Sequence, residues 1–232
     1  MPRKRLILHI GTHKTGTSSF QSSLVDNRPS LMAQGLTPIL ETKRIDGVTT
    51  GTRRANIAAK AHLFIRPELR TPSRYNKVSP ELSNRQRQTR RAKLAERLRK
   101  LTAPSVLLSA EAFCFLRTPE EQNSMRDFLS QTEREITTLM VLRNEADWRA
   151  SWENQIQNKP AMFRYFQNQP DEVCINADWY YDISAIRAFW APFNLTEMSY
   201  EAHDNIVDAL FHFIGISTAA LNTDIRLNSR TA

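Results

Sequence analysis

Cysteine is nearly absent from this chain: Cys114 and Cys174 are the only two in 232 residues, far apart and in no CxxC or Cys/His cluster. That excludes a disulfide framework and a structural zinc site of the usual spacings, and makes a reducing, cytoplasmic location the expected one. Long apolar runs are missing as well. Nothing approaches the ~20 apolar residues of a spanning helix, and the opening apolar run is broken by His9 and ends at Gly11, too short for a secretory leader. No transmembrane segment is expected. Internal repeats and low-complexity tracts are also lacking. Acidic side chains are outnumbered, 24 Asp and Glu against 32 Lys and Arg, and the resulting net charge of +8 favours an anionic partner. Charge alone does not choose among a nucleotide, an acidic glycan, a nucleic acid and a membrane surface.

What is present suffices for a core. With 41% hydrophobic residues, residues 1–232 read as one domain, interrupted by a basic variable insertion at about 42–104. Residues 5–27 read as strand, loop, helix, because the apolar run RLILHI ends in glycine and SSFQSSLVDN follows with a helix-start composition. The grammar recurs: a strand over 105–113, a helix over 118–131 capped by Thr118 with Pro119 at its first position, and a strand over 135–143. Asn144 then caps a helix through WRASWENQI. Residues 178–193 read as one helix, 195–201 as a strand and 205–216 as an amphipathic helix. Alternating strand and helix predict an α/β three-layer fold with a central, mainly parallel sheet, whose ligands gather at the carboxyl ends of the strands. Gly11, Glu111 and Arg143 all fall on that edge. Within the insertion, residues 85–100 carry eight basic residues and one acid. Leu94, Leu98 and Leu101 share a helical face, so the basic residues are expected on a solvated back, open to an anionic glycan or membrane surface.

The segment GTHKTGTSSFQ, residues 11–21, carries the chemistry. A strand turning at glycine into a helix aims unpaired N–H groups and the positive end of the helix dipole at one point. Gly11 and Gly16 permit the turn, Thr15, Thr17, Ser18 and Ser19 add hydroxyls, and Lys14 adds a full charge. The nucleotide-triphosphate loop GxxxxGK[ST] keeps its glycine spacing here, but Thr17 occupies the lysine position and no strand ends in a clear magnesium-binding Asp. Metal-free phosphoryl-like transfer fits better than ATP or GTP chemistry.

LILHIGTHKTGTSSFQ resembles the 5′-phosphosulfate loop of sulfotransferases that use 3′-phosphoadenosine 5′-phosphosulfate (PAPS), particularly the bacterial carbohydrate type, with their P-loop-like fold. The resemblance implies that Lys14 meets the bridging oxygen or sulfonate while Thr15, Gly16, Thr17, Ser18 and Ser19 hold the 5′-phosphate. VLRNEADWRAS is similar to the family's 3′-phosphate motif, a strand-terminal arginine with a serine eight positions later, which implies that Arg143 and Ser151 bind that phosphate. Residues 178–229 look like the family's closing region, which implies nucleotide contacts from Tyr200 and Arg226. The family also leads one to expect a further helix past Ser229, where only three residues remain.

The expected activity is transfer of a sulfonate group from PAPS to an acceptor hydroxyl on a carbohydrate or glycolipid, leaving adenosine 3′,5′-bisphosphate and needing no metal. Glu111, placed with Ser109 on one strand face, is a candidate general base, and His13 is its competitor. The four tryptophans read as core, and Phe163, Tyr165 and Phe166 as a possible acceptor-pocket lining. The alternatives are a P-loop nucleotide or small-molecule kinase and a non-enzymatic polyanion- or nucleic-acid-binding module; nucleic acid is the weaker expectation as partner.

Overall fold

The computed structural model describes residues 4–45, 48–75, 81–158 and 177–224. Strand β1 (Arg5–His9) forms the centre of a five-stranded sheet with β2 (Leu36–Pro38), β5 (Ser105–Ser109), β6 (Glu135–Leu142) and β7 (Leu195–Ser199), in the order β2-β5-β1-β6-β7. Every pairing in it is parallel, with Ile7 opposite Leu107 on one side and Thr137 on the other. Two strands of the insertion, β3 (Glu41–Ile45) and β4 (Val48–Arg54), form a separate antiparallel pair.

The two-residue period of β1 sorts the core into layers. Leu6, Leu8 and Ile10 face one cluster, which they share with α5 (Asn84–Lys100), α6 (Pro119–Ser130), α7 (Glu145–Asn158) and α9 (Ile183–Trp190). Ile7, with Leu107, Leu139 and Val141, faces the other, shared with α1 (Thr17–Asp26), α2 (Arg28–Ala33) and α10 (Ile206–Phe213). Helices on both faces of a parallel sheet make the three-layer α/β fold that the alternating sequence predicts. The remaining described helices, α3 (Ala58–Ala61), α4 (Pro72–Tyr75) and α8 (Ala177–Tyr181), are short. Among the described residues no helix is long and apolar enough to cross a membrane.

Three sequence readings change. The strand expected over 105–113 stops at Ser109, and Glu111–Phe115 is a 3₁₀ turn whose apolar side chains Ala112 to Phe115 all enter the core. Ser109 and Glu111 therefore do not share a strand face. The helix expected over 178–193 is broken at Asp182, whose carboxylate accepts from the Ala185 N–H at 3.0 Å and so caps a second helix. Nor is the basic side of α5 wholly solvated. Arg87 is 5% exposed and donates to the carbonyls of Leu63 and Ile65, and Arg91 lies over the Phe64 ring.

Candidate active site

β1 ends at His9, and the chain reverses into α1 through two left-handed glycines, Gly11 (φ 28°) and Gly16 (φ 78°), with Lys14 also left-handed at φ 68°. Glycine is required at both outer positions. A β-carbon on Gly11 would lie 2.8 Å from Thr17 Oγ1, and one on Gly16 would lie 2.6 Å from Ile206 Cγ2. Gly16 is the N-cap of α1 and no side chain caps that end, so the ten-residue helix presents its positive pole to the loop. Thr17 Oγ1, buried at the same spot, has no hydrogen-bond partner. A buried hydroxyl is normally paired; this one, at an uncapped helix start, suits an anion.

The loop is braced internally and from its neighbours. Thr15 donates to the Thr12 carbonyl at 2.6 Å, and Thr12 to the Val141 carbonyl of β6 at 2.7 Å. Trp148 and Gln155 of α7, at helical spacings i and i+7, reach the loop together: the Trp148 indole donates to the His13 carbonyl at 2.7 Å, and Lys14 Nζ donates to Gln155 Oε1 at 3.2 Å. Ser151 sits half-buried on that same stripe. Arg143, where β6 gives way to α7, donates from Nη1 to the Lys14 carbonyl at 3.3 Å. Its Nε is buried without a partner, and its guanidinium lies 5.1 Å from the centre of the Tyr200 ring. Tyr200 in turn packs over Gly16, its ring carbon 3.5 Å from where a β-carbon would stand. The loop, Arg143 and Tyr200 thus form one assembly, held in place because parallel strands deliver all three to the same sheet edge.

Beside the loop, His13 is packed among Phe115, Trp152 and Tyr180. Burial lowers its pKa; Glu111 works against that shift and Lys14 with it. The imidazole is therefore neutral near pH 7. Its Nε2 is 3.8 Å from Glu111 Oε2 and its Nδ1 is 3.9 Å from Cys114 Sγ. The Cys114 thiol, pushed up to about 12 by burial, keeps its proton. The ring thus turns Nδ1 toward the Cys114 sulfur and Nε2 toward the Glu111 carboxylate. Deeper still, His9 Nδ1 pairs with Ser109 Oγ at 2.9 Å and Gln21 donates to the same oxygen at 3.1 Å, so Ser109 serves the core rather than the site.

The structure brings together His13, Lys14, Thr15, Gly16, Thr17, Arg143, Tyr200 and Glu111; Ser18 and Ser19 follow on the first turn of α1. Arg226, the aromatic residues Phe163, Tyr165 and Phe166, and Cys174 lie outside the described residues. Sequence reading missed Trp148 and Gln155 as supports of the loop. Their i, i+7 spacing on the helix that follows Arg143 was the available signal. No family model matches the chain, and a search of curated proteins finds no significant match.

Proposed function

We propose that this protein is a sulfotransferase that moves a sulfonate group from PAPS to an acceptor hydroxyl, with a carbohydrate or glycolipid as the acceptor class. The observation that carries the reading is the joining of two cationic stations, Lys14 and Arg143, through one hydrogen bond at an uncapped helix start with an unpaired buried hydroxyl. A nucleoside phosphorylated at both ends needs two such stations close together, whereas a triphosphate needs a lysine at the position Thr17 occupies and a metal ligand.

The residues fit the donor. The N-terminal end of α1 and Thr17 would hold its 5′-phosphate, and Arg143, with Ser151 on the adjoining helix, its 3′-phosphate. When bound, the donor supplies an activated sulfonate whose sulfur–oxygen bond to the 5′-phosphate breaks as the acceptor oxygen attacks. Lys14 would stabilise the charge that develops on the departing phosphate oxygen. Glu111 would take the acceptor's proton, because its carboxylate is partly exposed while His13 is packed among three aromatic rings. His13 then acts as a positioning residue for Glu111. The Gln155 contact keeps Lys14 drawn along α7 until the donor competes for its ammonium.

Isothermal calorimetry with adenosine 3′,5′-bisphosphate tests the reading: binding without magnesium, and stronger than that of ATP, is expected. Equal affinity for ATP, or a magnesium requirement, would overturn it. A mass-shift screen for PAPS-dependent transfer over glycans, lipids and phenols identifies the acceptor.

A further inference from the structure

A second cationic site lies away from the loop. A cavity of about 840 Å³ opens between the 62–75 segment and the first turns of α5, and Arg70, Arg74, Arg87 and Arg90 line it. Two of these guanidiniums are fixed by backbone carbonyls. Arg74 donates to the carbonyls of Ile65, Arg66 and Leu69 at 2.5 to 3.0 Å, and Arg87 to those of Leu63 and Ile65. Carbonyl partners orient a guanidinium without cancelling its charge. Among the described residues, Arg74, Arg87 and Arg90 have no carboxylate within 4.0 Å, whereas the nearby Arg66 is neutralised by the buried Glu121. Two acids, Glu68 and Glu81, stand on the cavity wall against the four arginines. Neighbouring positive charge also acts within the cluster: the Arg74 pKa is lowered to about 10, first by burial and then by Arg87, with Glu121 and Glu68 working against the shift. His62, on the same wall, adds no charge, because it is neutral and its two nitrogens are engaged by Ala58 and Thr71.

We infer that this cavity binds the phosphate or sulfate ester of a sugar-sized ligand. Fixed guanidinium forks with no directly paired carboxylate suit an oxyanion with several acceptor oxygens. The volume exceeds what a lone oxyanion fills and falls in the range of small-molecule sites. Leu69, Leu82 and Tyr75 on the lining supply apolar and aromatic surface for a sugar ring. This inference does not depend on the donor assigned to the phosphate loop. The two sites are nonetheless near neighbours in the fold, since α3, which contributes Ala59 to the cavity, packs against the 3₁₀ turn that carries Glu111.

Glucose 6-sulfate and glucose 6-phosphate are the probes, titrated calorimetrically into the full chain and into a Lys14→Ala/Arg143→Ala variant that removes the loop's cations. One site should survive in that variant. Arg90→Glu, at an exposed position on the cavity lip, should weaken the surviving site at least tenfold with the circular dichroism spectrum unchanged. Arg97→Glu makes the same charge change further along α5, outside the cavity, and should leave affinity within about threefold. If the loop variant does not fold, Arg90→Glu alone should weaken one binding event of the native chain at least tenfold, and Arg97→Glu should leave it within about threefold. Loss of all binding with the loop cations, equal weakening by Arg97→Glu, or binding to phosphatidylserine vesicles but to neither sugar ester would each overturn the inference.

Discussion

The Trp148 indole donates to the main-chain carbonyl of His13 at 2.7 Å, so a helix that begins just past the proposed 3′-phosphate arginine holds the backbone of the proposed 5′-phosphate loop. The same ring stacks on Trp152 at 5.3 Å, and both tryptophans are buried. Two proposed binding stations far apart in sequence thereby share one support.

Trp148→Phe should expose the value of that support. It keeps most of the buried ring but removes the donor, which should cost about 1 kcal/mol of stability, the net worth of one hydrogen bond. Bisphosphate affinity should fall as well, because the loop loses a brace. Urea unfolding and calorimetry on the same preparation measure both. Affinity unchanged to within twofold would mean that Thr12 and Thr15 hold the loop without help.

Arg143→Ala and Lys14→Ala should separate binding from chemistry. Loss of a charged, hydrogen-bonded contact is expected to weaken bisphosphate binding by ~1.5 to 3 kcal/mol in Arg143→Ala. Lys14→Ala should act chiefly on kcat, since its charge matters most when the leaving oxygen becomes anionic. Steady-state kinetics with PAPS decides, and full turnover in Lys14→Ala would remove the leaving-group role.

Gly16→Ala combines two penalties that a double-mutant cycle can divide. The left-handed φ of 78° costs a residue with a β-carbon ~1 to 2 kcal/mol, and the collision with Ile206 Cγ2 at 2.6 Å adds overpacking of ~1 to 3 kcal/mol. In an Ile206→Ala background the second part should vanish and the first remain. Equal costs in the two backgrounds would show that α10 yields freely to the new methyl.

The sheet centre and the loop were legible because their signals are local and strong: β1 alternates cleanly between the two core clusters, and glycines five apart mark the turn. Strand β2 was not legible, since three residues are too few for any period to register. Asp182 was read as an ordinary helix position because the apolar spacing continues across it, while its capping bond to Ala185 depends on the backbone break itself. Arg87 was assigned to solvent by charge alone. Its burial depends on two carbonyls more than twenty positions away, which no helical periodicity encodes. Of the candidate site, the placing of the loop and Arg143 on one sheet edge is legible in the sequence, but Glu111 sits on a 3₁₀ turn in place of the expected strand, and the contact between His13 and Cys114 depends on that turn.

Acid should destabilise the fold through two buried histidines. Burial lowers both His9 and His62 from 6.5 to about 4. Between those values the unfolded chain binds protons that the folded chain refuses, so stability is full above about pH 6.5 and falls as pH drops toward 4. His62→Gln should flatten that decline, since the amide can bond to Ala58 or Thr71 without titrating. Melting temperatures measured from pH 7.5 to 4 for both proteins test this, and identical slopes would refute a role for His62.

The assignment of the base to Glu111 follows from how His13 is packed. His13 is walled in by Phe115, Trp152 and Tyr180, with Cys114 at Nδ1 and Glu111 at Nε2, whereas the Glu111 carboxylate is the more exposed of the pair. Glu111→Gln keeps size and hydrogen bonding but removes basicity, so turnover should fall ~100-fold or more while bisphosphate affinity stays nearly constant. His13→Asn should cost less, about tenfold, because it disturbs the placement of the carboxylate and leaves its basicity. The pH profile of kcat/KM adds a second reading: burial holds the His13 pKa below its ordinary 6.5, so His13→Asn should not remove a limb near pH 6.5. Near-normal turnover in Glu111→Gln together with an inactive His13→Asn would reverse the assignment, making His13 the base and Glu111 the group that positions it.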